Sequence, residues 1–146
     1  MNTTAARRGG EAGSASIEAA LGVPAFALMV GLVIFGGRTA LAHQALESAA
    51  ADAARSASLA RSSADARGQA VSAATTSLSN QHVRCRTVGV PVDTRGFEAP
   101  LGQQATVSVT VTCRIDLADL ALPGVPGSRT VRATMDSPLD AWRDRA

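Results

Sequence analysis

Between Glu18 and Arg38 the chain carries nineteen consecutive residues without a charge, most of them Leu, Val, Ile, Phe, Met, Ala or Gly. At 1.5 Å of rise per residue, a helix of that length is close to the ~30 Å hydrocarbon thickness of a bilayer. The run therefore reads as a transmembrane helix over residues 14–37, and the rest of the chain as what that helix carries. Pro24 is expected to kink it, and Gly22, Ala25 and Ala27 leave small faces suited to close helix contact.

The leading edge of the run holds an acid. Glu18 stands five places after Gly13, behind a short tail bearing Arg7 and Arg8. Ser14 or Ser16 caps the helix, and Glu18 falls near the positive end of its dipole. In the plain reading it snorkels toward head groups. In the sharper one it has a partner, because a carboxylate inside a bilayer costs about 2.5–3.5 kcal/mol even on the lenient insertion scale. A free amino terminus at residue 14, its own or a neighbour's, is the partner this spacing allows.

Flanking charge sets the orientation. Arg7, Arg8 and the amino terminus outweigh Glu11 on one side, whereas Arg38 and Arg55 are interleaved with Glu47 and Asp52 on the other. Basic flanks stay in the cytoplasm, so residues 1–13 are expected to be a cytoplasmic leader and residues 38–146 to lie outside. The two cysteines, Cys85 and Cys113, then fall in an oxidising compartment. The net charge of +2 comes from arginines spread along the chain with no lysine and no basic cluster, which speaks against a nucleic-acid partner.

Past Arg38 the helix is expected to continue as an amphipathic one. Ala42, Leu46, Ala49, Ala53, Ala57 and Ala60 recur at three- and four-residue steps, with Gln44, Ser48, Asp52 and Arg55 on the other side. From Ser14 to about Ala60 it would measure roughly 70 Å. Ser62 or Ser63 restarts a second helix with Asp65 in its first turn and Ala66, Ala70, Val71, Ala74 and Leu78 as its apolar face. Residues 38–79 thus form extracytoplasmic helices. A competing signal is Ala40-Leu41-Ala42, a small-x-small pattern at which a signal peptidase would release the chain from His43 onward.

Over residues 80–146 the period changes to two. Ala105, Val107, Val109, Val111, Cys113 and Ile115 share one strand face, with Thr106, Ser108, Thr110, Thr112 and Arg114 on the other. Val83 and Cys85, then Val88, Val90 and Val92, predict an earlier strand whose parity slips near Thr87 at a bulge. Val131, Ala133 and Met135 predict a third strand, reached through a turn at Pro123-Gly124-Val125-Pro126-Gly127. The fold class is α+β: a long N-terminal transmembrane helix continuing into an amphipathic helix, a second short helix and a small antiparallel sheet of about three strands. With aromatics at only 3% the core must be thin, and a Cys85–Cys113 disulfide would stabilise it by about 3 kcal/mol.

Nothing in the chain points to catalysis. His43 and His82 are isolated from any carboxylate or cysteine at metal-ligand spacing and read as surface residues. No glycine-rich phosphate loop follows a strand, and no nucleophile sits in a recognisable turn. Asp116, Asp119, Asp136, Asp140 and Asp144 lack calcium-loop spacing. No enzyme activity, cofactor or metal is expected.

Taken together, Gly13-Ser14-Ala15-Ser16-Ile17-Glu18 with the Pro24-containing span, Gln44-Ala45-Leu46-Glu47 and Ala53-Ala54-Arg55 resemble the TadE-like proteins of tight-adherence (Flp-type) pilus systems. Val109-Thr110-Val111-Thr112-Cys113, Leu122-Pro123-Gly124-Val125-Pro126-Gly127-Ser128-Arg129 and Ser137-Pro138-Leu139-Asp140 look like the actinobacterial branch of that family. The resemblance implies a minor pilin-like, or pseudopilin, subunit with a type IV prepilin-like processing site. A prepilin peptidase would cut after Gly13, Ser14 would become the mature terminus, and Glu18 would serve in processing or docking. Other pilin or pseudopilin subunits would pack on the transmembrane helix at Glu18 and Pro24, with lipid around them. The chain departs from the family pattern at Ala19-Ala20, where an aromatic commonly follows the Glu. The alternative is an uncleaved single-span envelope protein whose outer domain binds an unrelated partner.

Overall fold

The structure is a computed structural model that describes residues 12–116 and 127–142; for residues 12–16 it describes the backbone course only. The turn expected at residues 123–127 lies outside the described residues except for Gly127, as do Asp119, Asp144 and the leader up to Glu11.

One helix, α1 (Ala12–Leu59), runs unbroken for 48 residues, about 72 Å at the helical rise. It passes through Pro24, which lacks the N–H that would otherwise bond the carbonyl of Ala20. Its C-terminal part holds the molecule together. Ala42, Leu46, Ala49, Ala53 and Ala57 are buried as their spacing predicts, with Ala60 just past its end, and so are Ala45, Ala50 and Ala54. The buried stripe is wider than predicted because the helix has two neighbours, a second helix and a sheet. Alanine's small side chain is what lets both backbones approach closely.

The second helix, α2 (Ser63–Asn80), begins at a reciprocal cap. Ser62 Oγ accepts from the Asp65 N–H at 3.1 Å and donates to the Asp65 carboxylate at 2.8 Å. Ala66, Ala70, Ala74 and Leu78 are buried, but Val71 is not: it lies at the margin of the stripe and faces solvent. Ser77 Oγ donates to Asp52 at 2.8 Å, clipping α2 to α1.

The sheet has four strands where about three were expected: β1 (Thr87–Gly89), β2 (Val92–Asp93), β3 (Ala105–Asp116) and β4 (Ser128–Leu139). β4 pairs along one whole edge of β3, while β1 and β2 lie end to end on the other, all antiparallel. Both short strands keep the same register, Gly89 opposite Thr112 and Val92 opposite Val109. What divides them is Pro91, whose carbonyl accepts from the Thr110 N–H at 3.0 Å but which has no N–H to return.

The parity slip near Thr87 is real. Thr87 is the ladder partner of Arg114, and Arg86 also donates its N–H to the Arg114 carbonyl at 2.7 Å, so two residues face one. This extra residue turns Cys85 to the inner face, where it is joined to Cys113 across a Cα separation of 5.3 Å. The inner face of β3 and β4, with Val107, Val109, Val111, Cys113, Ile115, Val131, Ala133 and Leu139, packs on α1. At the far end a 3-10 turn over Arg95–Glu98 closes against β3 so tightly that a Cβ on Gly96 would collide with the Thr106 carbonyl oxygen. Arg67 reaches the Thr94 hydroxyl there at 2.9 Å, tying α2 to the same corner.

Candidate functional site: the bare surface of α1

The two parts of α1 differ in what covers them. From Leu46 to Ala57 most of its apolar side chains are buried by α2 and the sheet; from Ile17 to Leu41 the large apolar side chains other than Phe35 are exposed. Leu21, Phe26, Leu28, Leu32 and Val33 stand well out on different sides of the helix, Leu32 at 73% exposure. The change is abrupt: Leu41 is 65% exposed and Leu46 not at all.

A continuous apolar cylinder of this size is not stable in water, where exposed apolar patches on soluble proteins rarely exceed a few hundred Å². Apart from the Ala20 carbonyl that faces Pro24, the helix satisfies its own backbone along this stretch, which is the condition for lying in hydrocarbon. It is long and apolar enough to cross a membrane. Phe35 alone among the larger side chains of this stretch leans on the folded core, at the point where the helix enters the domain.

Glu18 is exposed at the start of this surface, and between it and Arg38 no charge interrupts it. Gly13 and Ser14 lie in the first turn of α1, so the peptide bond between them is helical and that turn would have to fray before a protease could grip it. Ala40, Leu41 and Ala42 are in the middle of the same helix, with Ala42 buried, so a signal peptidase cut there would have to break packed helix. Pro24 shares the bare stretch with Glu18, about one and two-thirds turns further on.

The remaining candidates are separate from this surface. His43 and His82 are both exposed, His43 at 3.2 Å from Glu47 one turn along the helix. Among the described residues no group of three or more His, Cys, Asp or Glu is placed to hold a metal. At the opposite end of the domain Arg95 donates its side chain and its backbone N–H to Asp93, holding that carboxyl down at about 2. Whatever this exposed pair contributes is present above the ordinary aspartate range and lost as pH falls toward 2.

With this geometry in view, comparison with known proteins is informative for one segment. No curated protein and no solved structure matches the chain. Residues 13–55, from Gly13 through the bare surface and into the packed part of α1, match the family described as TadE-like protein.

Proposed function

We propose that this chain is a minor pilin-like subunit, anchored by α1 in the cell membrane and working in tight-adherence pilus assembly. The observation that carries the reading is the coincidence of the TadE-like match with one physical object: the match opens at Gly13 and runs the length of a helix whose first half is bare apolar surface. The downstream blocks that look like the actinobacterial branch accord with it. In this reading the N-terminus is cytoplasmic and the α2–sheet domain is outside, where an oxidising compartment maintains the Cys85–Cys113 bond.

The work done is association, not catalysis. A prepilin peptidase removes the leader after Gly13, leaving Ser14 as the amino terminus and Glu18 as the fifth residue. Helices of other pilin or pseudopilin subunits pack on the bare surface, and Glu18 pairs with a neighbouring amino terminus inside the bilayer. Pairing is favoured there because an unpartnered carboxylate in hydrocarbon is costly. Register follows from that charge pair, while apolar contact supplies area without specificity.

Replacing Glu18 with Gln keeps the shape and removes the charge. Co-isolation of pilin subunits with the variant from solubilised membranes should fall by about tenfold or more, the equivalent of the 1.4 kcal/mol that separates one decade of association. Unchanged co-isolation would take the docking role away from Glu18.

A further inference from the structure

The bare surface of α1 does not stop in open water. At Leu41 it runs into a cleft of about 340 Å³ between α1, which gives Arg38 and Leu41, and the connection from α2 to β1, which gives His82, Val83 and Arg84, with Ile115 at its floor. Strand register adds more positive charge at this end. Ile115 is opposite Arg129 on β4, and the neighbouring Arg114 receives the backbone N–H of Arg86. All five arginines are exposed. At this end Asp116 is engaged by Arg86 at 2.9 Å.

The acids lie at the other end. Asp93 and Asp136 flank Ser108 from either side, Asp65 stands in the first turn of α2, and Asp140 follows the end of β4. Arginines thus gather where the apolar helix leaves the domain, whereas at the far end the acids are mixed with Arg67 and with Arg95, which pairs with Asp93.

His82 adds a second observation. Its N–H bonds the Ser79 carbonyl at 3.0 Å and the Val83 N–H bonds the Leu78 carbonyl at 3.1 Å, which places His82 at the left-handed position that ends a helix. Its φ is 56°, and among the described residues it is the one non-glycine with positive φ. Glycine fits such a position without backbone strain. An imidazole is kept there instead, at the mouth of the cleft.

We propose that this basic end is a collar for lipid head groups. Resting on the reading above, in which residues 14–37 cross the bilayer, Arg38, Arg84, Arg129 and His82 meet the phosphates of anionic phospholipids in the leaflet from which the domain emerges. The charges surround the point where an apolar helix enters the domain, so the surface nearest them is the head-group layer. Leu41 and Val83 give the cleft an apolar side for the glycerol and upper acyl region. The collar sets how deep the domain sits and which face it turns to neighbouring subunits.

The test uses the full chain in phosphatidylcholine vesicles carrying a trace of spin-labelled phosphatidylglycerol or spin-labelled phosphatidylcholine, and compares how strongly each label is immobilised. An arginine near an anionic surface is worth about fivefold in association, so the phosphatidylglycerol label should be preferred by at least about threefold. The double variant Arg84→Gln, Arg129→Gln should bring the ratio near one. Both side chains are exposed and have no ion pair among the described residues, so the fold should survive. Molar salt should act in the same direction. A wild-type ratio near one, or a ratio the double variant leaves unchanged, overturns the collar. A double variant that keeps its lipid preference but loses pilus assembly overturns it too, by assigning this end to a protein partner. A chain that fails to float with vesicles of either composition would overturn the membrane reading beneath it, which separates the two failures.

Discussion

Replacing Cys113 with Ser is expected to destabilise the sheet domain strongly while leaving the apolar part of α1 helical. The bond it removes closes a loop with a sequence separation of 28 and ties the approach to β1 to the middle of the sheet. In the chain-entropy account that closure is worth about 3–4 kcal/mol. The core has little to set against such a loss. Its largest fully buried side chains are Leu46, Val107, Val109, Val111 and Cys113 itself, with alanine supplying most of the rest. Small domains hold only about 5–15 kcal/mol in total. Hydrogen–deuterium exchange of the full chain in micelles checks this: β3 amides should exchange about a hundredfold faster or more in the variant, or in reductant, while residues 20–36 stay protected. Unchanged exchange in β3 would mean that helix and strand packing suffice without the bridge.

The second large effect is at Leu46. It is the one large side chain of α1 with no exposed area, set where the helix meets both α2 and the sheet. Leu46→Ala should cost about 2–5 kcal/mol, because the surrounding alanines are too short to close over the cavity. For a domain near 100 residues that corresponds to a fall in Tm of at least about 10 °C. Leu41→Ala, five residues away and 65% exposed, is the matched control. In detergent it should shift Tm by less than about 3 °C, since exposed positions usually fall within about 0.5 kcal/mol. Equal losses at the two positions would contradict the division of α1 into a packed part and a bare part.

Much of this architecture is legible from residue periodicity, and the exceptions have physical causes. The alanine stripe of α1 marks a packed face, but a three-four repeat describes contact with one neighbour; Ala45, Ala50 and Ala54 are buried because there are two. The alternation from Ala105 to Ile115 fixes β3 and its inner face. The change of parity between Cys85 and Val88 marks a bulge because period two admits no other way to put both cysteines on one side. Pro91 carries the signal that splits β1 from β2, since a proline inside a strand pattern cannot complete the ladder. Val71 borders the apolar face of α2 without lying on it, and so faces solvent instead of joining the core.

The site divides in the same way. The bare surface of α1 is visible as an uncharged run, because lipid exposure demands apolar residues on every side of the helix. The basic end of the domain is not visible so, because its arginines come from four separate segments, at 38, 84–86, 114 and 129, and only the bulge, the register of β3 with β4 and the turn at His82 bring them together. A partner for Glu18 is likewise beyond what one chain displays, as it would belong to another subunit.

The most direct measurement is the intact mass and N-terminal sequence of the protein recovered from its native cells, fraction by fraction. The account predicts a membrane-fraction species beginning at Ser14, with the Cys85–Cys113 bond closed. A membrane species beginning at Met1 or Asn2 would contradict prepilin-type processing and leave an uncleaved anchor, and a soluble species beginning at His43 would contradict the membrane-anchored subunit altogether.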